Sequence, residues 1–277
     1  MNREVRYYSD EKNDEFSGVT RKTVTVDQNY VYRPKNFFWN LIAFILYRII
    51  MTPIAWFYVK LKFHFKVVNR RVLKHACDAN GKKQSFYLFA NHTQIPGDGY
   101  MPSMITFPTE CAVVVNADNI SLPGTQTFMK MIGAVPLPNK IAGMRGFMEY
   151  LTRLAGQKKC IVIYPEAHIW PYYTKIRPFS SDSFRFPITY GLKTFCFTVT
   201  YQKRRFSDKP NITAYVDGPF EADSSLPKKE AIEQLRNTVY NTMVERSKNS
   251  TYEYIHYEYR AKDQTALDES AVKDVRS

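Results

Sequence analysis

From Ser85 onward the chain alternates between short apolar, strand-like runs and longer helix-like stretches. The strand-like runs are Ser85–Phe89, Ala112–Val115, Ala134–Leu137, Cys160–Tyr164, Phe195–Tyr201 and Ile212–Val216. The helix-like stretches are Met101–Phe107, Thr127–Ile132, Gly143–Ala155 and Lys228–Lys248. Alternation of this kind predicts an α/β fold: a mixed, largely parallel sheet flanked by helices. Reactive groups in such folds sit on loops at strand ends. That directs attention to the residues after Phe89 and after Tyr164. The sequence shows no internal repeat.

The first of these strand ends is chemically loaded. Ser85-Phe86-Tyr87-Leu88-Phe89-Ala90 runs into Asn91-His92, then a Pro96-Gly97 turn, then Asp98. A histidine held by a carboxylate one short loop away can act as a base toward a hydroxyl group, the carboxylate fixing the tautomer and stabilising the imidazolium. A lone His and Asp would as readily be a loop cap and an unrelated acid. The second strand end supplies Tyr164-Pro165-Glu166-Ala167-His168, and between them lies Gly133-Ala134-Val135-Pro136-Leu137-Pro138.

In order and spacing these three segments resemble the motifs of the glycerolipid acyltransferases, the family of the lysophosphatidate acyltransferases. Asn91-His92…Asp98 resembles its Asn-His-x4-Asp, Gly133–Leu137 its Gly-x-x-x-apolar segment, and Tyr164–His168 its Phe-Pro-Glu-Gly-Thr-Arg. The likeness covers Phe86 to Phe220. The chain departs from the pattern in places. Five residues separate His92 from Asp98, Ala167 stands for Gly, His168 for Thr and Ile169 for Arg, while Asn139 falls where the second motif ends in arginine. The resemblance implies His92 and Asp98 as the catalytic pair. It implies acceptor-side roles for Asn91, Gly133, Lys140, Pro165, Glu166, His168 and Arg177. Glu166 could alternatively brace the His92 loop, and His168 could donate to a phosphate or sugar hydroxyl or stack on Trp170. Lys140, Arg145, Lys175 and Arg177 could replace the absent arginines or form a solvated basic face, with Arg177 the best placed. Gly133 suits a tight helix-to-strand turn. No metal-ligand spacing occurs, and no metal is expected.

The formal charge is +13, with aromatic residues at 15%. Such a chain could face nucleic acid, an anionic membrane or an acidic partner. Its distribution decides. Asn29 to Cys77 contains no Asp or Glu but nine basic residues, from Arg33 to Lys74, around the most hydrophobic run. Basic residues flanking an apolar segment suit the cytoplasmic face of a bilayer rather than nucleic acid. Within residues 37–65, Arg48 and Pro53 interrupt the apolar run, which predicts two short helices lying in the interface rather than one span; a buried core hairpin is the bland alternative. Cys77, Cys111, Cys160 and Cys196 are scattered, as reduced residues would be. The polar, acid-containing start argues against a signal peptide.

The expected organisation is a polar segment (1–36, with a short strand at Val24–Tyr32), a membrane-associating helical hairpin (37–65), an α/β domain (66–260) and a flexible tail (261–277). The expected activity is transfer of a fatty acyl group from acyl-CoA or acyl carrier protein to a lysophospholipid-type hydroxyl at a membrane surface. Transfer would be direct, since no Ser or Cys is placed as a nucleophile, and would need no further cofactor. The alternative is a non-catalytic lipid-binding protein of the same fold. An ester hydrolase would need a nucleophilic serine, and Gly-x-Ser-x-Gly is absent.

Overall fold

The computed structural model describes residues 3–16 and 23–261. In chain order the elements are β1 (Glu4–Tyr8), α1 (Phe37–Phe44), α2 (Thr52–Phe63), β2 (Lys66–Val68), β3 (Phe86–Ala90), α3 (Met101–Thr106), β4 (Cys111–Val115), α4 (Gln126–Met131) and β5 (Ala134–Pro136). They continue with α5 (Met144–Ala155), β6 (Cys160–Ile163), α6 (Arg185–Tyr190), β7 (Thr194–Gln202), β8 (Asn211–Phe220), α7 (Lys228–Ser247) and β9 (Ile255–Tyr259). Among the described residues, seven strands form one sheet in the order β2-β8-β7-β3-β6-β4-β5. Every neighbouring pair is parallel except β7 and β8. The expected mixed, largely parallel α/β sheet is what the chain forms.

The sheet is buried on both faces because its central strands are largely apolar, with Thr194, Thr198 and Thr200 of β7 buried among them. Successive side chains alternate between faces. In β3, Tyr87 and Phe89 join Ile161, Phe147 and Leu151 with Leu235 and Val239 on the α5–α7 side. Phe86, Leu88 and Ala90 join Val162, Phe195, Phe197 and Ile105 on the other, where Val59 and Phe63 of α2 also pack. Each such side chain contributes about 1.5–3 kcal/mol on burial. This double core fixes the register of β3 against β6 and β7, and so fixes where β3 ends.

Residues 37–65 do not make the expected hairpin. Phe37–Phe63 is one continuous 27-residue helix, with a π-helical stretch at Ile45–Met51 between α1 and α2. Pro53 does not break it because the widened turn absorbs the missing donor. The Thr52 N–H donates to the Tyr47 carbonyl five residues back, and the Thr52 hydroxyl donates to the same oxygen at 2.7 Å. Ala43, Tyr47, Ala55, Val59 and Phe63 form the buried stripe. The Tyr47 hydroxyl accepts from the Cys111 N–H at 3.0 Å and meets Ser103 at 2.9 Å. Arg48 donates to the Pro108 carbonyl and lies over the Phe107 ring. Leu41, Ile42, Phe44, Ile49, Ile50, Ile54, Phe57 and Leu61 remain exposed.

Two further expectations are corrected. Val24–Tyr32 is irregular rather than a strand, because its polar backbone groups bond to side chains, Val26 N–H and Val24 C=O to Asn139 among them. The start of the chain instead pairs as β1 in parallel with β9, a separate two-stranded sheet. The expected flexible tail falls, except for Ala261, outside the described residues.

Candidate active site

The chain leaves β3 at Ala90 and β6 at Ile163, and these neighbouring parallel strands end on the same edge of the sheet. That edge, at the carboxyl ends of the strands, is where open α/β sheets hold their reactive groups. Asn91 is the hinge of the first loop. Its carbonyl accepts from Val199 N–H at 2.8 Å and its amide donates to Val199 C=O at 3.1 Å. Both ends of the side chain are therefore tied to β7. Asn91 aims the following residue, in place of the acceptor contact expected for it.

His92 Nδ1 donates to Asp98 Oδ2 at 2.8 Å. An ionised carboxylate can only accept, so Nδ1 carries the proton and Nε2 keeps its lone pair. The His92 side chain retains 20% of its exposure and Asp98 only 5%, so the imidazole reaches solvent while its partner does not. The five-residue spacing is taken up by a 3-10 turn at Gly97–Gly99. Asp98 N–H donates back to Gln94 C=O at 2.8 Å, and Gln94 N–H to Asp98 Oδ2 at 2.9 Å. Gly97 is required there, since an added Cβ would lie 2.6 Å from Gln94 Cγ. Burial pushes the Asp98 carboxyl above its ordinary value, against the downward pull of His92 and of the Gln94 and Thr93 N–H groups.

Three tyrosines, which sequence reasoning did not single out, complete the support. The Tyr164 ring stacks on His92 at 4.6 Å, and its hydroxyl donates to the Asp98 carbonyl at 2.6 Å. Burial pushes the Tyr164 phenol up, so it remains a neutral donor. The Tyr201 hydroxyl, at the far end of β7, bonds Thr93 and Gln94. Tyr172 N–H donates to Thr93 C=O at 2.8 Å. The sequence signal was present: Tyr164 and Tyr201 end apolar strands on the same edge as His92.

Glu166 and Arg177 turn inward. Both side chains are fully buried, with Arg177 Nη2 3.4 Å from Glu166 Oε2. Glu166 accepts from the His92 N–H and the Arg177 N–H, each at 3.3 Å. The Arg177 guanidinium also donates to the carbonyls of Glu166, His168 and Glu11, and it lies over Trp170. Neither side chain is free for an acceptor. Glu166 braces the His92 backbone, and Arg177 neutralises Glu166. Burial pushes the Glu166 carboxyl up, against the Arg177 charge and the His92 and Arg177 N–H groups.

The other expected residues scatter. Gly133 has φ +96°, and a Cβ there would lie 2.4 Å from the Cys111 carbonyl. It starts β5 beside the start of β4, so it belongs to the opposite edge of the sheet and serves the turn alone. Lys140 follows β5 on the correct edge and is exposed. It emerges three strands from β3, roughly 14 Å away at ordinary strand spacing. Pro165 turns the chain after β6 and is half-buried. His168 is half-exposed, its Nδ1 3.6 Å from Glu15 Oε2. Arg145 pairs with Glu149 on the surface of α5, and Lys175 is exposed. Ala167, where the resemblance expects glycine, sits at φ +63°. A groove of about 730 Å³ lies at the amino ends of β3 and β7, lined by Gln84, Pro187, Leu192, Thr194 and Glu221. Its lining holds a Lys193–Glu221 ion pair at 3.3 Å but no histidine, so the groove offers no imidazole base of the kind found at the His92 edge.

An oriented imidazole at the carboxyl edge of a parallel sheet, braced by an inward Glu–Arg pair, defines a domain of the acyltransferase class. Residues 64–201 match the family model described as Acyltransferase. No curated protein matches this chain. Its fold is similar to the crystal structure of the 1-acyl-sn-glycerophosphate (LPA) acyltransferase PlsC from Thermotoga maritima. The likeness has a TM-score of 0.50 at 16% identity, covering 78% of this chain and 89% of that one.

Proposed function

We propose that this acyltransferase moves a fatty acyl group from acyl-CoA or acyl carrier protein to the hydroxyl of a lysophospholipid-type acceptor, with His92 as general base. The observation that carries the reading is the 2.8 Å His92–Asp98 bond on a histidine that still reaches solvent. His92 Nε2 takes the acceptor's hydroxyl proton as the oxygen attacks the thioester carbonyl carbon. Asp98 stabilises the imidazolium while the tetrahedral intermediate stands. When the C–S bond breaks, the imidazolium returns the proton to the departing thiolate. Tyr164 and Glu166 keep the ring and its backbone in place through both steps.

The reaction takes place at the cytoplasmic face of a membrane. The exposed apolar side of Phe37–Phe63 and the acid-free basic stretch around it support this. That helix is bonded to the domain near its middle through Tyr47 and Arg48, which favours an orientation along the surface over a span. The same basic surroundings suit the phosphates of coenzyme A, an acidic carrier protein and anionic lipid.

The test incubates purified protein with acyl-CoA or acyl carrier protein and a panel of lysolipids, and reads products by mass spectrometry. The wild type forms diacyl product. His92→Ala lowers its rate by about 10²–10⁴ while unfolding at the same temperature. Equal rates for the two proteins, or no product from the wild type, would reject the catalytic reading.

A further inference from the structure

We propose that the acceptor's head group carries no phosphate monoester and no net negative charge. This deepens the acyl-transfer reading and rests on it. A phosphate dianion is held by converging cations and N–H donors, best by the planar fork of an arginine. Beside His92 that means is withdrawn. Arg177 is fully buried, its charge met by Glu166 and its two terminal nitrogens bonded to the carbonyls of Glu166, His168 and Glu11, with Nε sealed away from solvent.

The chain's own N-terminal segment occupies the space next to these groups. Glu11 accepts from the Tyr173 hydroxyl at 2.9 Å, and the Asp14 carbonyl from Trp170 Nε1 at 2.7 Å. Tyr8 and Phe16 pack on the Trp170 ring with centroids 4.9 and 5.0 Å away. The Trp170 backbone N–H in turn donates to the His92 carbonyl at 3.1 Å, which puts this segment two contacts from His92. Along the β5 loop, Asn139 is likewise spent on the backbone of Val24 and Val26, at 2.8 and 2.9 Å.

What this segment presents beside His168 is a carboxylate, although Lys12 is also exposed on it. Glu15 is 47% exposed and stands 3.6 Å from His168 Nδ1. A phosphate dianion approaching His168 meets that like charge, whereas an uncharged hydroxyl or an ammonium is accepted by it. Among the described residues, Lys140 and Lys175 are exposed cations on the loops after β5 and β6. The head group that fits is that of a zwitterionic lysophospholipid or a monoacylglycerol.

The experiment compares kcat/KM for lysophosphatidate, lysophosphatidylethanolamine and monoacylglycerol, each with the same acyl-CoA and acyl carrier protein, in the wild type, Glu15→Gln and Glu15→Lys. The wild type favours one of the two acceptors without net charge over lysophosphatidate by about tenfold or more, the ratio given by 1.4 kcal/mol of differential binding. Glu15→Lys shifts that preference toward lysophosphatidate by about tenfold, and Glu15→Gln shifts it the same way by less. A wild type that prefers lysophosphatidate overturns the inference while leaving acyl transfer intact, and so does an unmoved preference in both variants. Failure to acylate any acceptor would sink the acyl-transfer reading itself.

Discussion

Arg177→Met separates a structural arginine from a substrate-binding one. In the structure the guanidinium lies 3.4 Å from the Glu166 carboxylate with both side chains at zero exposure. At an effective dielectric of about 20, that separation corresponds to about 5 kcal/mol of attraction. Removing one partner of a buried pair generally costs about 3–5 kcal/mol, because the other charge is left uncompensated. For a chain of this size that corresponds to roughly 6–20 °C in melting temperature. The pH dependence carries a second signature. Burial already holds the Glu166 carboxyl above its unfolded value despite Arg177. The native state therefore binds that proton more readily than the unfolded chain, and the carboxyl's contribution falls as pH rises from the unfolded value through the folded one. Without Arg177 the folded value climbs further, so the deficit is small at about pH 4.5, near the ordinary carboxyl value, and larger at neutral pH. Adding Glu166→Gln removes the stranded carboxylate and recovers part of the loss at neutral pH. Urea unfolding of the wild type and the two variants at both pH values measures all of this. A loss below about 1 kcal/mol for Arg177→Met, with a raised KM for the acceptor, would show that Arg177 serves substrate and refute the argument.

Other perturbations probe the remaining parts. Asp98→Asn keeps the packing but removes the charge that orients His92 through the 2.8 Å bond; kcat falls by about 10²–10⁴ with the KM for acyl-CoA nearly unchanged, and steady-state kinetics within tenfold of wild type would count against the dyad. Ala167→Gly relieves an alanine held at φ +63°. A left-handed L-residue costs about 1–2 kcal/mol, and the looser unfolded chain of glycine returns about 0.4–1. Urea unfolding should therefore show a net gain of about 0.5–1 kcal/mol, and a destabilised variant would contradict the strain. Ile54→Ser, Phe57→Ser and Leu61→Ser combined alter exposed positions, so stability changes little. Co-sedimentation with anionic vesicles should weaken at least about 100-fold, given about 1.5–3 kcal/mol per buried apolar side chain; undiminished co-sedimentation would remove the lipid-facing role from this helix.

Central strands were legible because their signal is local and one-dimensional. The runs around Phe86, Cys111 and Cys160 fall in strands within a residue or two of their expected bounds, since strands buried on both faces read as near-continuous apolar runs. β1, β2 and β9 were not legible. They are edge pieces, polar or only three residues long, and exist because a distant strand supplies their hydrogen bonds. Pro53 misled for a related reason: its cost was counted against a regular α-helix, and the chain takes a wider turn there instead.

The site divides along the same line. His92 and Asp98 face each other across one short loop, so their pairing could be read from spacing. Which way a charged side chain points could not. Glu166, Arg177 and Asn91 look like ligand contacts in the sequence because polar residues at strand ends usually meet solvent. Here each is consumed by backbone of a neighbouring segment, namely the His92 N–H, the His168 carbonyl and both polar groups of Val199. An imidazole that must hold one tautomer and one direction needs its loop held at several points. A buried polar side chain already bonded at both ends is well suited to that task and poorly suited to gripping a mobile head group. The motif residues around His92 therefore fix the orientation of its ring, and in the proposed reaction head-group selection would fall to less recognisable side chains on the loops and the N-terminal segment.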